Sequence, residues 1–145
     1  MKDKLTTELS ITIDASPKQV WKALTVPELI KKYLFGTNVS TDWKVGSPIT
    51  YSGEYNGTKY HDKGIIKKFE TEKVLQSTYF SSMSGKEDKP ENYVLVTYSL
   101  AKKDYKTVLT ITQDNNSSEK EKEHTTENWN MVLNKLKEVA ESQTE

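Results

Sequence analysis

Between Leu9 and Thr25 the hydrophobic period of the chain switches from two to that of a helix within a few residues. Leu9, Ile11, Ile13 and Ala15 alternate with Ser10, Thr12 and Asp14, the pattern of a half-buried strand. Ser16 then reads as an N-cap, Pro17 suits the first helical position, and Gln19 completes a capping box. Val20, Trp21 and Leu24 give the short helix one apolar edge. Thr25 and Glu28 predict a second box, ahead of Leu29, Ile30, Tyr33 and Leu34, with Gly36 closing that helix. One strand running into two abutting short helices implies a sheet whose open end is plugged, and therefore a cavity.

The next segments read as a meander. Ile49 to Tyr55 alternates as a strand, Asn56-Gly57 is a hairpin turn, and the chain returns from Lys59 to Phe69. Further strands are expected at Val74 to Met83, Tyr93 to Leu100 and Thr107 to Gln113, with a polar loop from Ser84 to Pro90. Ser118 and Glu121 form another capping box before a long helix from Glu119 to Glu141. Trp129, Val132, Leu133, Leu136, Val139 and Ala140 make a single apolar stripe on it. At roughly 34 Å such a helix must lie along the sheet in a domain whose radius of gyration is about 15 Å. The class is α+β, with an antiparallel sheet of about six strands.

Composition narrows the chemistry. The 145 residues suffice for a single domain spanning 1–145, with one core. Cysteine is absent, which excludes thiolate catalysis and thiolate metal sites. The 21 basic and 21 acidic residues cancel, so no net field favours nucleic acid or an anionic membrane. All of the basic residues are lysine, and without arginine a bidentate carboxylate or phosphate clamp is missing. The first residues, Met1 to Thr7, carry no apolar run or cleavage signal, and nothing is long enough to span a bilayer, so the expectation is cytoplasmic.

The segment Ala15-Ser16-Pro17-Lys18-Gln19-Val20-Trp21-Lys22-Ala23-Leu24-Thr25-Val26-Pro27-Glu28-Leu29-Ile30 resembles the opening motif of the AHSA-type domains, homologues of a heat-shock chaperone ATPase activator within the START-like (SRPBCC) superfamily. Matching segments follow in order: Thr41 to Gly46, Gly64-Ile65-Ile66, Val74-Leu75, Val96 to Leu100, Thr107 to Thr112 and Trp129 to Leu136. Together they cover about Glu8 to Glu141. The resemblance implies a helix-grip (START/Bet v-like) fold, a curved antiparallel sheet wrapped around the C-terminal helix over a hydrophobic cavity. Tyr33 stands where the family often has Trp, Ser47 and Asn128 replace common glycines, and Lys44 replaces a common Arg, which removes a polar anchor. Bacterial domains of this kind are mostly assigned binding or stress roles, without a defined reaction.

Period two, anchored on the family-like positions, points Ile49, Tyr51, Tyr55, Ile66, Leu75, Ser77, Tyr79, Val96, Tyr98, Leu109 and Ile111 inward, facing Trp21, Leu24, Tyr33, Trp129, Leu133 and Leu136 from the helices. The expected ligand-binding set is Trp21, Leu24, Tyr33, Tyr51, Tyr55, Ile66, Tyr79, Tyr98, Ile111, Trp129, Leu133 and Leu136. Eight tyrosines against three phenylalanines suit an apolar pocket with a few hydrogen-bonding tips.

No catalytic set assembles. His61 lies opposite Ile66 by parity, and His124 sits among glutamates at the start of the last helix, so both are read as solvated. Lys68 shares the parity of Ile66 and is a candidate inward lysine. Asp42 and Glu54 would act as acids or bases only if buried beside a ligand carbonyl. No metal spacing, triad or phosphate loop is present, and no cofactor is expected. The expected function is binding of a small hydrophobic or aromatic molecule, lipid-like or polyketide-like, in a stress-response or carrier role by a monomer. The alternatives are a chaperone-activator-like protein-interaction module and, more weakly, a cyclase-like or hydrolase-like enzyme.

Overall fold

A strand, two short helices, six further strands and a long helix make up residues 5–143, which the computed structural model describes. Residues 1–4, part of the segment read above as lacking a leader, lie outside the described ones. The elements are β1 (Thr7–Ile13), α1 (Pro17–Thr25), α2 (Pro27–Tyr33), β2 (Asn38–Thr41), β3 (Pro48–Tyr55), β4 (Thr58–Glu70), β5 (Val74–Tyr79), β6 (Val94–Lys103), β7 (Lys106–Gln113) and α3 (Glu119–Glu141). The strands form one antiparallel sheet in the order β1-β7-β6-β5-β4-β3-β2. This is the α+β, helix-grip arrangement.

The caps behave as local chemistry dictates in one case and not in another. Ser16 accepts from the Gln19 amide while the Gln19 side chain accepts from the Ser16 amide, a complete capping box. The Thr25–Glu28 box does not form. Pro27 holds the preceding Val26 extended and makes it the cap of α2, while the Thr25 hydroxyl donates to the Trp21 carbonyl 2.8 Å away and closes α1 instead. At α3, Ser118 accepts from the Glu121 amide, but the Glu121 carboxylate turns to the amide and hydroxyl of Ser117. Against the opposing effect of burial, those two bonds and the Lys86 ammonium 3.5 Å away together hold the Glu121 carboxyl below its ordinary value.

The seventh strand, β2, is one more than expected. Asn38–Thr41 offers only Val39 to the core, too little apolar periodicity to read, and it forms by pairing with β3 at the sheet edge. The strand expected to reach Met83 ends at Tyr79, because the amide and hydroxyl of Ser82 turn aside to bind Asp62.

The sheet curves at β4. Residues up to Ile65 pair with β3, and those from Ile66 pair with β5, with a bulge between Ile66 and Lys68. Gly64 sits at the bend, where the Thr78 carbonyl comes so near that a Cβ would lie 1.7 Å from its oxygen. Helix α3 packs on β1, α1 and α2. Its end is tied back by the Asp14 amide donating to Glu141, and by the Gln19 amide group donating to the Gln143 carbonyl. The core gathers Ile13, Val20, Trp21, Ile66, Leu109, Ile111, Leu133, Leu136 and Ala140.

Candidate functional site

Because α3 meets the sheet at its β1 edge, the space between the helix layer and β2–β6 stays open. It is a cavity of about 520 Å³, within the range of small-molecule sites. Its floor is the inward face of β3 to β6: Ile49 and Tyr51, Tyr60 and Asp62, Leu75, Ser77 and Tyr79, Val96 and Tyr98. Leu24, Ile30 and Tyr33 cover it from α1 and α2, and Thr125, Asn128, Trp129 and Val132 from α3. At the mouth, three lining residues on separate segments are apolar yet exposed: Phe35 at 68%, Tyr55 at 64% and Met83 at 51%.

Of the expected site residues, Leu24, Tyr33, Tyr51, Tyr55, Tyr79, Tyr98 and Trp129 line this space. Trp21, Ile66, Ile111, Leu133 and Leu136 do not; they belong to the buried core beside it. Period two chooses the face of a strand, but not where along the sheet the helix layer lifts away. Trp21 is taken up by Phe69, with ring centroids 5.3 Å apart. Tyr55 faces the cavity only at its rim. Trp129 is half-buried, donates from Nε1 to the Gln113 side chain at 2.7 Å, and meets Tyr98 edge to face.

Asp62 is one of the lining residues that the sequence reading overlooked, with Tyr60, Thr125 and Asn128 among the others. It is four residues before Ile66 and so has the same inward parity, a signal that was present. It stands opposite Tyr51 across β3 and β4 and is only 7% exposed. The Tyr79 hydroxyl donates to one of its oxygens at 2.5 Å, and the Ser82 amide and hydroxyl donate to the other at 2.8 and 3.0 Å. Asp62→Ala would take the acceptor from the part-buried Tyr79 hydroxyl and release the exposed Ser82 amide and hydroxyl. Urea denaturation is expected to show a loss of about 2–3 kcal/mol; a loss under 0.5 kcal/mol would show the cluster to be inessential.

Tyr60 arches over Gly53, whose missing side chain makes room for the ring, and bonds the Thr37 hydroxyl at 2.6 Å. Burial raises the phenol of Tyr51 to about 12, and raises those of Tyr33, Tyr79 and Tyr98 well above their ordinary value. The hydrogen bond to Asp62 adds to the effect at Tyr79. All four therefore remain protonated donors at neutral pH.

The candidate acid–base residues fall elsewhere. His61 and His124 are exposed. Lys68 is also exposed: the bulge between Ile66 and Lys68 inverts the parity, so Phe69 turns in and Lys68 out. Asp42 is exposed, and Glu54 reaches only the open part of the cavity. Among the described residues no group of three His, Asp or Glu is placed to hold a metal. Nor is any helix long and apolar enough to cross a membrane.

The backbone is shared with solved structures. ChR145 from Cytophaga hutchinsonii is 45% identical and superposes with a TM-score of 0.82 over 92% of each chain. The Aha1 dimer from Colwellia psychrerythraea is 22% identical, with a TM-score of 0.73 over 94% of this chain and 96% of that one. DynU16, from the dynemicin biosynthetic locus, is 15% identical with a TM-score of 0.79, and 95% of this chain covers 48% of it. No curated protein matches. A sequence profile, described as Activator of Hsp90 ATPase homolog 1-like protein, matches residues 14–141, from the end of β1 to the end of α3. The ordered motifs, the gripped helix and this match agree, and the chain belongs to the Activator of Hsp90 ATPase homolog 1-like protein family.

Proposed function

We propose that this protein binds a small hydrophobic or aromatic molecule, lipid-like or polyketide-like, in the cavity between α3 and β3–β6. The supporting observation is the cavity itself: about 520 Å³, walled mainly by aliphatic and aromatic side chains, with a few hydroxyls inside. The apolar mouth at Phe35, Tyr55 and Met83 gives such a molecule a way in. In this reading the protein is a single-domain, cytoplasmic monomer, without catalytic residues or cofactor, in a carrier or stress-response role.

A thermal-shift and NMR screen against a lipid and aromatic-metabolite library tests this. A ligand at 100 times its dissociation constant is expected to add about 2.7 kcal/mol, a rise of several degrees in melting temperature. Chemical-shift changes should fall on Tyr51, Tyr79, Tyr98 and Trp129. Val96→Phe, which fills the cavity from its floor, should abolish the shift at a cost of about 1–3 kcal/mol. Leu133 is not suited to that test, since it lies in the closed core.

The family match favours a second reading, a chaperone-activator-like interaction module acting through the charged outer face. If no library member binds, or if the shifts map to Lys63, Lys67 and Thr110, that module replaces the binder. Its affinity for a chaperone should then fall at high salt, because lysine–carboxylate contacts are screened over about 8–10 Å.

A further inference from the structure

Asp62 is a buried charge without a counter-charge. It reaches the cavity from β4 and is 7% exposed. Its three partners, the Tyr79 hydroxyl and the Ser82 amide and hydroxyl, are all neutral. Such donors hold a carboxylate in place but leave its charge, and a buried charge is costly until a cation meets it. Among the described residues no lysine or histidine forms an ion pair with Asp62, and none lines the cavity. The rest of the lining keeps the same sign. Its neutral polar groups are phenols, serine and threonine hydroxyls, and the amides of Gln113 and Asn128, all able to accept as well as donate. The other charged group is Glu54, a second carboxylate at the exposed rim. Every buried side-chain nitrogen or oxygen among the described residues already has a hydrogen-bond partner, so unmet hydrogen bonds select no ligand. Charge does.

The surroundings of Asp62 suit a cation. One of its oxygens takes a single hydrogen bond, from Tyr79, and a carboxylate oxygen has room for two. Two cavity-lining rings flank the place: Tyr51, the cross-strand partner of Asp62, and Tyr79, which meets Tyr51 edge to face with centroids 5.4 Å apart. Aromatic faces attract an ammonium. We infer that the molecule bound in this cavity is an amphiphilic amine, whose protonated nitrogen pairs with Asp62 and whose apolar or aromatic body fills the remaining space. This assignment rests on the binding reading above and specifies the chemistry of that site. A neutral ligand would displace water from the carboxylate and offer no charge in return. A carboxylate or phosphate headgroup would meet two like charges and no cation.

Three naphthalenes of nearly equal shape separate the outcomes at neutral pH: protonated 1-naphthylmethylamine, neutral 1-naphthylmethanol and anionic 1-naphthoate. Binding to the whole chain is measured by calorimetry and by quenching of tryptophan fluorescence. The ammonium is expected to bind about tenfold more tightly than the alcohol, which corresponds to about 1.4 kcal/mol, and the naphthoate more weakly than either. Asp62→Asn keeps the shape of the side chain and leaves an oxygen to accept from Ser82. It should bring the ammonium-to-alcohol ratio near one while the alcohol still binds. In the wild-type protein, nuclear Overhauser contacts should run from the methylene of the bound amine to the ring protons of Tyr51 and Tyr79, a readout that stands even if the variant folds poorly. Equal affinity for amine and alcohol, tighter binding of naphthoate, a preference that survives Asp62→Asn, or absence of those contacts overturns the proposal and leaves the cavity a binding site of another specificity. The same holds if the three probes fail while a library member without a basic nitrogen binds. If the probes and the library both fail, the binding reading itself falls.

Discussion

Raising the pH past 10 is expected to unfold this protein cooperatively. The unfolded chain releases its phenolic protons near pH 10, whereas burial holds Tyr51 to about 12 and raises Tyr33, Tyr79 and Tyr98 well above their ordinary value. Above pH 10 the native state therefore binds more protons than the unfolded state, and stability falls as pH rises. Below pH 10 these groups are protonated in both states and contribute no slope. At pH 11 each retained proton lowers stability by about 1 kcal/mol, so together they remove several kcal/mol, a large part of the stability of many domains. Tyrosinate absorbance and far-ultraviolet circular dichroism, followed in one titration, check this. Four of the eight tyrosines should ionise together with the loss of secondary structure. Smooth titration of all eight near pH 10, with the dichroism intact, would show that the cavity phenols are open to water.

Gly64→Ala is expected to cost more than 4 kcal/mol or to prevent folding altogether. A Cβ there would sit 1.7 Å from the Thr78 oxygen and 2.6 Å from its carbonyl carbon. Both atoms belong to the backbone of the neighbouring strand, so neither can rotate away. Relief requires parting β4 from β5 where the sheet bends, and substitutions that break such a constraint belong to the exceptional tail of mutational effects. Gly53→Ala is the internal control. Its Cβ would meet the Tyr60 hydroxyl at 2.4 Å, but that ring can swing aside, giving up its bond to Thr37. The second variant should lose about 1–2 kcal/mol in urea denaturation. Equal, mild losses in both would mean that the bend at Gly64 is looser than the structure shows.

Strong local signals account for what the chain disclosed early. The Ser16–Gln19 box, the Asn56-Gly57 turn and the bounds of α3 all depend on residues within a few positions of one another. Reading failed where a nearby residue competed. Pro27 made Val26 the cap and left the Thr25 hydroxyl to close α1. Ser82 was drawn to Asp62, so β5 ended short of Met83. At β4 a single inserted residue was enough to turn Lys68 outward and Phe69 inward.

The sequence by itself determined the order of the elements other than β2, the inward face of the longer strands and the apolar stripe of α3, because these follow from periods of 2 and 3.6 and from caps that need no distant partner. Only the tertiary structure decided which inward residues meet the cavity and which are sealed in the core. That depends on where α3 leaves the sheet, so Tyr33, Tyr51 and Tyr98 line the space while Ile111, Leu133 and Leu136 close beside it. It also decided the Asp62 cluster, since Tyr79 and Ser82 lie 17 and 20 residues away and reach the carboxylate only once β4 and β5 are side by side. Periodicity fixes direction; contact between distant segments requires the sheet to bend, and the bend is set at Gly64 and the bulge that follows it.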